Sequence, residues 1–308
     1  MFRSRSFAFV VLFAGLGLRL LTQPRASFRL AGRLDIALRL FTFVAACAVL
    51  GPRFVAHPGA LWLLAIAVTG AWLILFPLFV VDVRSRPLTE IRKHAHGAWL
   101  LVSVATARLA ITAADLTDRT TWPGWLVLAA VAWILAVLLY VLITALIVRR
   151  AAARLAPEEV TPDSWILMGA PAVAALAGAH LRAALISQRS ATGWADATRP
   201  AIFVLWVLAS LWIPVLVYAQ MWRMDHRPVS VQFTGTWWSA VFPLGMYSAA
   251  TNAAALQLHL AALSTVLLVV LLECVQRVCA RRSGVGAFGG PGHRTRRPDL
   301  TSPALSAG

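Results

Sequence analysis

Residues 125–148, WLVLAAVAWILAVLLYVLITALIV, run without a single charged residue. A helix on a soluble protein keeps one polar face, whereas a helix crossing a bilayer needs about 20 mainly apolar residues in a row. Comparable blocks recur along the chain, and they fix its class. Inside lipid every backbone amide needs a partner within the protein, and long apolar blocks meet that demand as helices. Composition agrees: 60% of the residues are hydrophobic and 13% charged, against about 45–50% and about 25% in soluble domains. The expected fold class is an all-α, polytopic membrane protein.

Spanning helices are expected near 6–21, 36–51, 60–81, 97–113, 122–148, 165–186, 201–222, 237–258 and 260–279, nine in all. The loops between them carry Arg, Pro, Gly and Asp, which are ordinary helix punctuation. The last two helices have no fixed turning point between Asn252 and Ala262.

The formal net charge is +16, and Lys93 is the one lysine among 28 basic residues. In a soluble chain that charge would suggest nucleic acid. Here it alternates loop by loop. One side takes Arg25, Arg29 and Arg33, then Arg84, Arg86, Arg92 and Lys93, then Arg149, Arg150 and Arg154, then Arg223 and Arg227. The other side holds Arg53, Arg119, Arg182, Arg189 and Arg199. The heavier side faces the cytoplasm by the positive-inside rule. No nucleic-acid partner is expected. The protein is placed in a bacterial cytoplasmic membrane with its C-terminus inside.

Nine spans then put the N-terminus outside, where Arg3 and Arg5 do not belong, and Arg19 closes the first apolar block early. A signal peptide, a short helix with a snorkelling Arg19, and the second half of a hairpin whose first helix lies upstream of Met1 are the three readings. The repeat described next favours the last. Residues 1–282 are expected to form the transmembrane domain. Residues 283–308, rich in Gly, Pro, Ser and Arg without periodicity, form a disordered basic cytoplasmic tail.

The helices alternate in character. Those beginning at 36, 97, 165 and 237 are rich in Ala, Gly, Ser and Thr, as in LLVSVATARLA and MGAPAVAALAGA, and each is followed by a bulkier Leu/Val/Trp helix. Small residues let helices approach closely, and they also line a lumen without filling it. PDSWILMGAPAVAALAG (162–178), IPVLVYAQMWR (213–223), WWSAVFPLGMYSAAT (237–251) and GAWLLVSVAT (97–106) resemble motifs of the tellurite-resistance/C4-dicarboxylate transporter family. That family includes the yeast malate permease and the plant guard-cell slow anion channel. The resemblance runs from about residue 7 to 279 and is most specific from 157 onward. It implies helical hairpins in a quasi-fivefold ring around a central anion pore, lined by the first helix of each hairpin, and a homotrimer with one pore per protomer. The family has ten helices, and the first inner one has no counterpart here. A start site placed too late or a truncated gene is the corresponding expectation.

Within that frame Phe242 matches the family's pore-occluding phenylalanine, and Pro243 beside it removes one helical hydrogen bond. Ser239, Phe242, Gly245 or Met246, Ala249 and Asn252 recur at helical spacing on one stripe. Pro171, flanked by Gly169 and Gly178, interrupts the helix from Trp165 and frees the carbonyl of Leu167. A packing kink and a functional one stay equally open there. Arg108 lies in mid-helix, where an arginine costs about 2.5–3.5 kcal/mol to insert and so faces a cavity or a partner. Ser103 and Thr106 offer hydroxyls nearby. Arg108 either draws anions inward or snorkels past Asp115. His180 and Arg182 read as an interfacial pair or part of an outer vestibule. Trp62, Trp122, Trp125, Trp165, Trp237 and Trp238 sit near helix ends as interface anchors. The candidate pore-lining set is therefore Ser103, Thr106, Arg108, Gly169, Pro171, Ser239, Pro243, Gly245 and Ala249, with Phe242 as gate.

Cys47, Cys274 and Cys279 have neither CxxC spacing nor histidine neighbours, so no metal site is expected. Among the acids, Glu273 is the one expected within a span. HExxH, GxSxG and Walker A patterns are missing. The expected protein is no enzyme and takes no cofactor. It passes small anions: malate-like C4-dicarboxylates, monovalent anions, sulfite or tellurite-type oxyanions. A proton-coupled dicarboxylate carrier and a non-conducting truncated scaffold are the alternatives.

Overall fold

The computed structural model describes residues 58–120, 122–153, 160–188, 192–226 and 238–258, with the single positions Leu38, Leu40, Phe41, Thr42, Val44 and Thr265. The expected helix at 6–21, the one at 260–279 apart from Thr265, the tail, the three cysteines and Glu273 lie outside the described residues. Of the helix expected at 36–51, Leu38, Leu40, Phe41, Thr42 and Val44 are helical, and Leu38, Phe41 and Val44 are buried. The chain divides into compact units at Leu260 and Ala261, and every element named below belongs to the first.

Among the described residues all regular structure is helical: α1 (Pro58–Ser85), α2 (Leu88–His94), α3 (Leu101–Thr117), α4 (Gly124–Ala153), α5 (Ile166–Ser187), α6 (Thr192–His226) and α7 (Trp238–Leu258). A single 3-10 turn leads into α3 at Gly97–Leu100, and another into α5 at Pro162–Trp165. Among the described residues five stretches are long and apolar enough to cross a membrane: Trp62–Ser85, Gly97–Thr117, Gly124–Ala153, Pro162–Ser187 and Gly193–His226.

The long helices overrun their expected bounds because polar residues beyond the bilayer still favour helix. The start of α6 carries Asp196 and Arg199, and Pro200 and Pro214 lie inside it. The seven-residue α2, LTEIRKH, was not expected. It is too short and too charged to register as an apolar block. Its Ile91 is nevertheless buried, and Arg86 bridges Asp82 at 3.0 Å and Glu90 at 3.3 Å on its flank.

Burial separates two kinds of helix. In α3 and α5, 94% and 78% of the apolar stretch is buried within the protein, against 28%, 28% and 33% in α1, α4 and α6. The large exposed apolar residues follow the same division. Val127, Val131, Ile134, Leu138 and Val141 form a stripe along α4, and Leu63, Ile66 and Leu73 and Val204, Leu211 and Val215 lie exposed on α1 and α6. In water such faces would be a liability; in a bilayer they are the solvated surface. Small residues, alanine and threonine in α3 and alanine and glycine in α5, are frequent in both helices, and that is why α4 and α6 can close down on them.

Gly178 shows how close the approach is. A Cβ there would lie 2.9 Å from Cγ1 of Ile202 on α6 and 3.1 Å from the indole nitrogen of Trp133 on α4. That indole N–H donates to the carbonyl of Ala174 at 2.9 Å. The glycine clears the path, and the tryptophan uses it to bind the backbone of a buried helix.

Candidate functional site

The leading ends of α3 and α5 are fused into one junction. The imidazole of His96 and the carboxylate of Asp163 meet at 3.0 Å between Nδ1 and Oδ2. The Ala98 N–H donates to the same oxygen at 3.1 Å. Thr161 donates its hydroxyl to the other carboxylate oxygen. A deprotonated carboxylate in that position calls for the His96 tautomer with its proton on Nδ1. On the neighbouring turn Arg150 donates to the carbonyl of Ala95 at 2.9 Å. Backbone meets backbone between these ends. A Cβ on Gly97 would lie 2.6 Å from the Asp163 carbonyl carbon and 2.9 Å from the Ser164 nitrogen, and closer still to the carbonyl oxygen.

The far ends of the same two helices are joined by His180 and Asp115, at 2.7 Å between Nδ1 and Oδ1. Ser187 donates to Asp118 at 2.5 Å, and the Gln188 amide donates to the Thr117 carbonyl at 3.3 Å. His180 thus pairs across to α3 and not with Arg182, which reaches toward Asp196 at 4.0 Å.

Between these ends the buried helices are held by indoles. Trp72 on α1 donates to the Thr106 hydroxyl at 3.0 Å, Trp133 on α4 to the Ala174 carbonyl, and Trp206 on α6 to the Thr251 hydroxyl at 3.1 Å. In each case the tryptophan lies in the middle of an outer helix and reaches the small-residue helix of the following hairpin. Sequence reading missed this set, because tryptophan in a membrane helix suggests an interfacial anchor. The available signal was position: these three stand in mid-block, away from the helix ends.

The bonds also orient the predicted site residues. The Ser103 hydroxyl donates to the Ala136 carbonyl of α4 at 2.8 Å, and Thr106 donates to Val102 while accepting from Trp72. Both hydroxyls face the outer helices. Arg108 is five residues from Ser103 and two from Thr106, which at about 100° per residue puts it on the opposite side of α3. It is buried to 5% exposure, one residue from the middle of the Gly97–Thr117 span. It is not at the helix end.

Gly169 and Pro243 come together. A Cβ on Gly169 would sit 2.9 Å from the Pro243 Cβ, so the absence of a side chain lets α7 settle on α5 at its proline. Pro171 is seven residues before Gly178, about two turns, and therefore shares the face of α5 that meets α4 and α6. On α7 Pro243, Met246, Tyr247, Ala250, Thr251 and Ala254 are buried, whereas Leu244, Gly245, Ser248, Ala249, Asn252 and Leu256 are exposed. Gly245 has open space where a Cβ would point. Phe242 is half-buried, at the boundary between the two faces. The side chain of Ser239 lies outside the described residues.

These features define a multi-pass α-helical membrane protein whose small-residue helices are enclosed by lipid-facing ones and carry one buried arginine. The chain belongs to the SLAC1 family of voltage-dependent anion channels, whose sequence pattern matches residues 1–280. It is also similar to an uncharacterized membrane protein of Mycobacterium tuberculosis, found in two strains. The identity is 36% over 123 residues, which covers 40% of this chain and 62% of the relative.

Proposed function

We propose that this chain conducts small anions along the side of α3, α5 and α7 turned away from the outer helices, with Phe242 as the constriction. The observation that carries this reading is the placement of Phe242. It immediately precedes Pro243, which packs against Gly169, so its backbone is braced on α5 while its ring stands at the edge of the open face. An aromatic ring in a narrow apolar lumen excludes water and so blocks conduction until it moves. Arg108 supplies positive potential at mid-membrane depth, and Gly245 and Ala249 provide the clearance. The substrates in this reading are C4-dicarboxylates such as malate, monovalent anions, sulfite and tellurite-type oxyanions. The quasi-fivefold ring, the homotrimer and a cytoplasmic C-terminus belong to the same reading.

Chloride and malate flux into liposomes carrying the full chain or its Phe242→Ala variant tests it. Flux in the variant is expected to rise on the order of tenfold, the factor that about 1.4 kcal/mol of barrier represents. Equal flux in both would remove Phe242 as the constriction.

A proton-coupled dicarboxylate carrier is the second reading, favoured by one observation: histidine–carboxylate pairs stand at both ends of the α3–α5 pair, His96 with Asp163 and His180 with Asp115. Malate uptake that collapses when a protonophore dissipates an imposed pH gradient, at fixed membrane potential, would select it over the channel.

A further inference from the structure

Helix α7 is held to α6 by two hydrogen-bonded rungs in antiparallel register. The Trp206 indole N–H donates to the Thr251 hydroxyl at 3.1 Å, and Ser210 and Tyr247 meet at 2.8 Å between their hydroxyls. Each helix contributes residues four apart, so both rungs lie on one face of each. The proton directions can be assigned. Ser210 donates its single hydroxyl hydrogen to the Trp206 carbonyl at 2.9 Å, so it is Tyr247 that donates to Ser210. Trp206 therefore anchors both rungs, one through its indole and one through its backbone.

Thr251 is nine residues from Phe242, about two and a half turns, which places it about 180° round the helix. Tyr247 is five residues away, about 140° round. The rungs grip the side of α7 opposite the Phe242 ring. Tyr247 and Thr251 are 3% and 4% exposed, so both polar groups are deep in apolar surroundings, where an unmade hydrogen bond is expensive. A rotation of α7 that swung Phe242 aside would break both rungs. Next to Phe242, the contact of Pro243 with Gly169 is van der Waals contact and does not resist rotation in the same way.

We infer that the Trp206–Thr251 and Tyr247–Ser210 rungs are the positioning device that sets the rotation of α7 and so keeps the Phe242 ring in the anion path. Trp206, Ser210, Tyr247 and Thr251 act through Phe242 and touch no anion themselves. This rests on the reading of Phe242 as the constriction.

The test is flux and thiol chemistry on the full chain in liposomes. Trp206→Phe keeps the ring and deletes the donor; Thr251→Val deletes the acceptor, and Thr251→Ser restores it. Trp206→Phe and Thr251→Val are each expected to raise chloride flux severalfold, Thr251→Ser to behave as wild type, and neither deletion to add to the flux of the Phe242→Ala variant. Equal fold-changes with and without Phe242→Ala, or a Thr251→Ser protein indistinguishable from Thr251→Val, would overturn the inference. The second readout does not depend on the constriction. Ala249→Cys lies on the exposed face and Ala250→Cys on the buried one, so a water-soluble maleimide should label the first much faster. Trp206→Phe is expected to narrow that difference at least threefold. An unchanged difference overturns the rungs as the device that sets rotation, even where Phe242→Ala leaves flux unaltered and the constriction reading alone has failed.

Discussion

Replacing Gly97 with valine is expected to abolish recovery of folded, monodisperse protein, and alanine to lower stability by on the order of 3 kcal/mol. The atoms a Cβ would meet are the carbonyl group of Asp163 and the nitrogen of Ser164, all of them backbone. A side chain can swing out of the way; a peptide group at the start of a buried helix cannot, without carrying the helix with it. Displacing the turn that leads into α5 also pulls the Asp163 carboxylate away from His96 and Ala98, leaving a half-buried charge without two of its partners. Gly70 is the control. It lies inside α1 with no atom within 4 Å of its missing Cβ, so alanine there is expected to stabilise by up to about 1 kcal/mol. Thermal unfolding and size-exclusion profiles of the two alanine variants in detergent check both statements, and similar melting temperatures would contradict them.

Arg108→Gln is expected to reduce chloride and malate flux by ten- to hundredfold on an order-of-magnitude basis. A unit charge about 6 Å from a passing anion is worth about 3 kcal/mol at an effective dielectric constant of about 20. Tenfold already corresponds to about 1.4 kcal/mol. The same substitution is expected to lower the chloride-to-sodium permeability ratio along with the flux. An arginine kept only to brace a neighbouring helix would leave that ratio intact. Flux assays with imposed ion gradients supply that ratio.

The class of the protein was legible because the bilayer imposes a length and a polarity that no other environment does. The boundary of each apolar block could be read from residues such as Arg149 and Arg150, and the buried character of α3 and α5 from their alanines and glycines. Direction round the helix was not legible. Ser103, Thr106 and Arg108 lie within six positions of one another and look like one polar patch in the sequence. Yet the first two are turned outward to Ala136 and Trp72, and the third points the other way. Periodicity assigns faces when polar and apolar residues alternate, and α3 is apolar or small on nearly every side. The stripe on α7 was ambiguous between Gly245 and Met246 for the same reason; Gly245 shares the exposed face of Ala249 and Asn252, and Met246 is buried. The pairings His96–Asp163 and His180–Asp115 join residues 67 and 65 positions apart. No local pattern announces them.

The three indole bonds carry a consequence for how the chain is made. Each tryptophan enters the bilayer on one hairpin, and its acceptor arrives with the next: 34 residues later for Trp72, 41 for Trp133 and 45 for Trp206. Until then an indole N–H sits in hydrocarbon without a protein acceptor, a state that lipid does not relieve. Synthesis is therefore expected to advance as a ratchet. Insertion of α3 and α4 satisfies the Trp72 donor and brings in that of Trp133, and insertion of α5 and α6 satisfies Trp133 and brings in Trp206. The order of the hairpins along the ribosome's product is thereby written into the order in which they lock together.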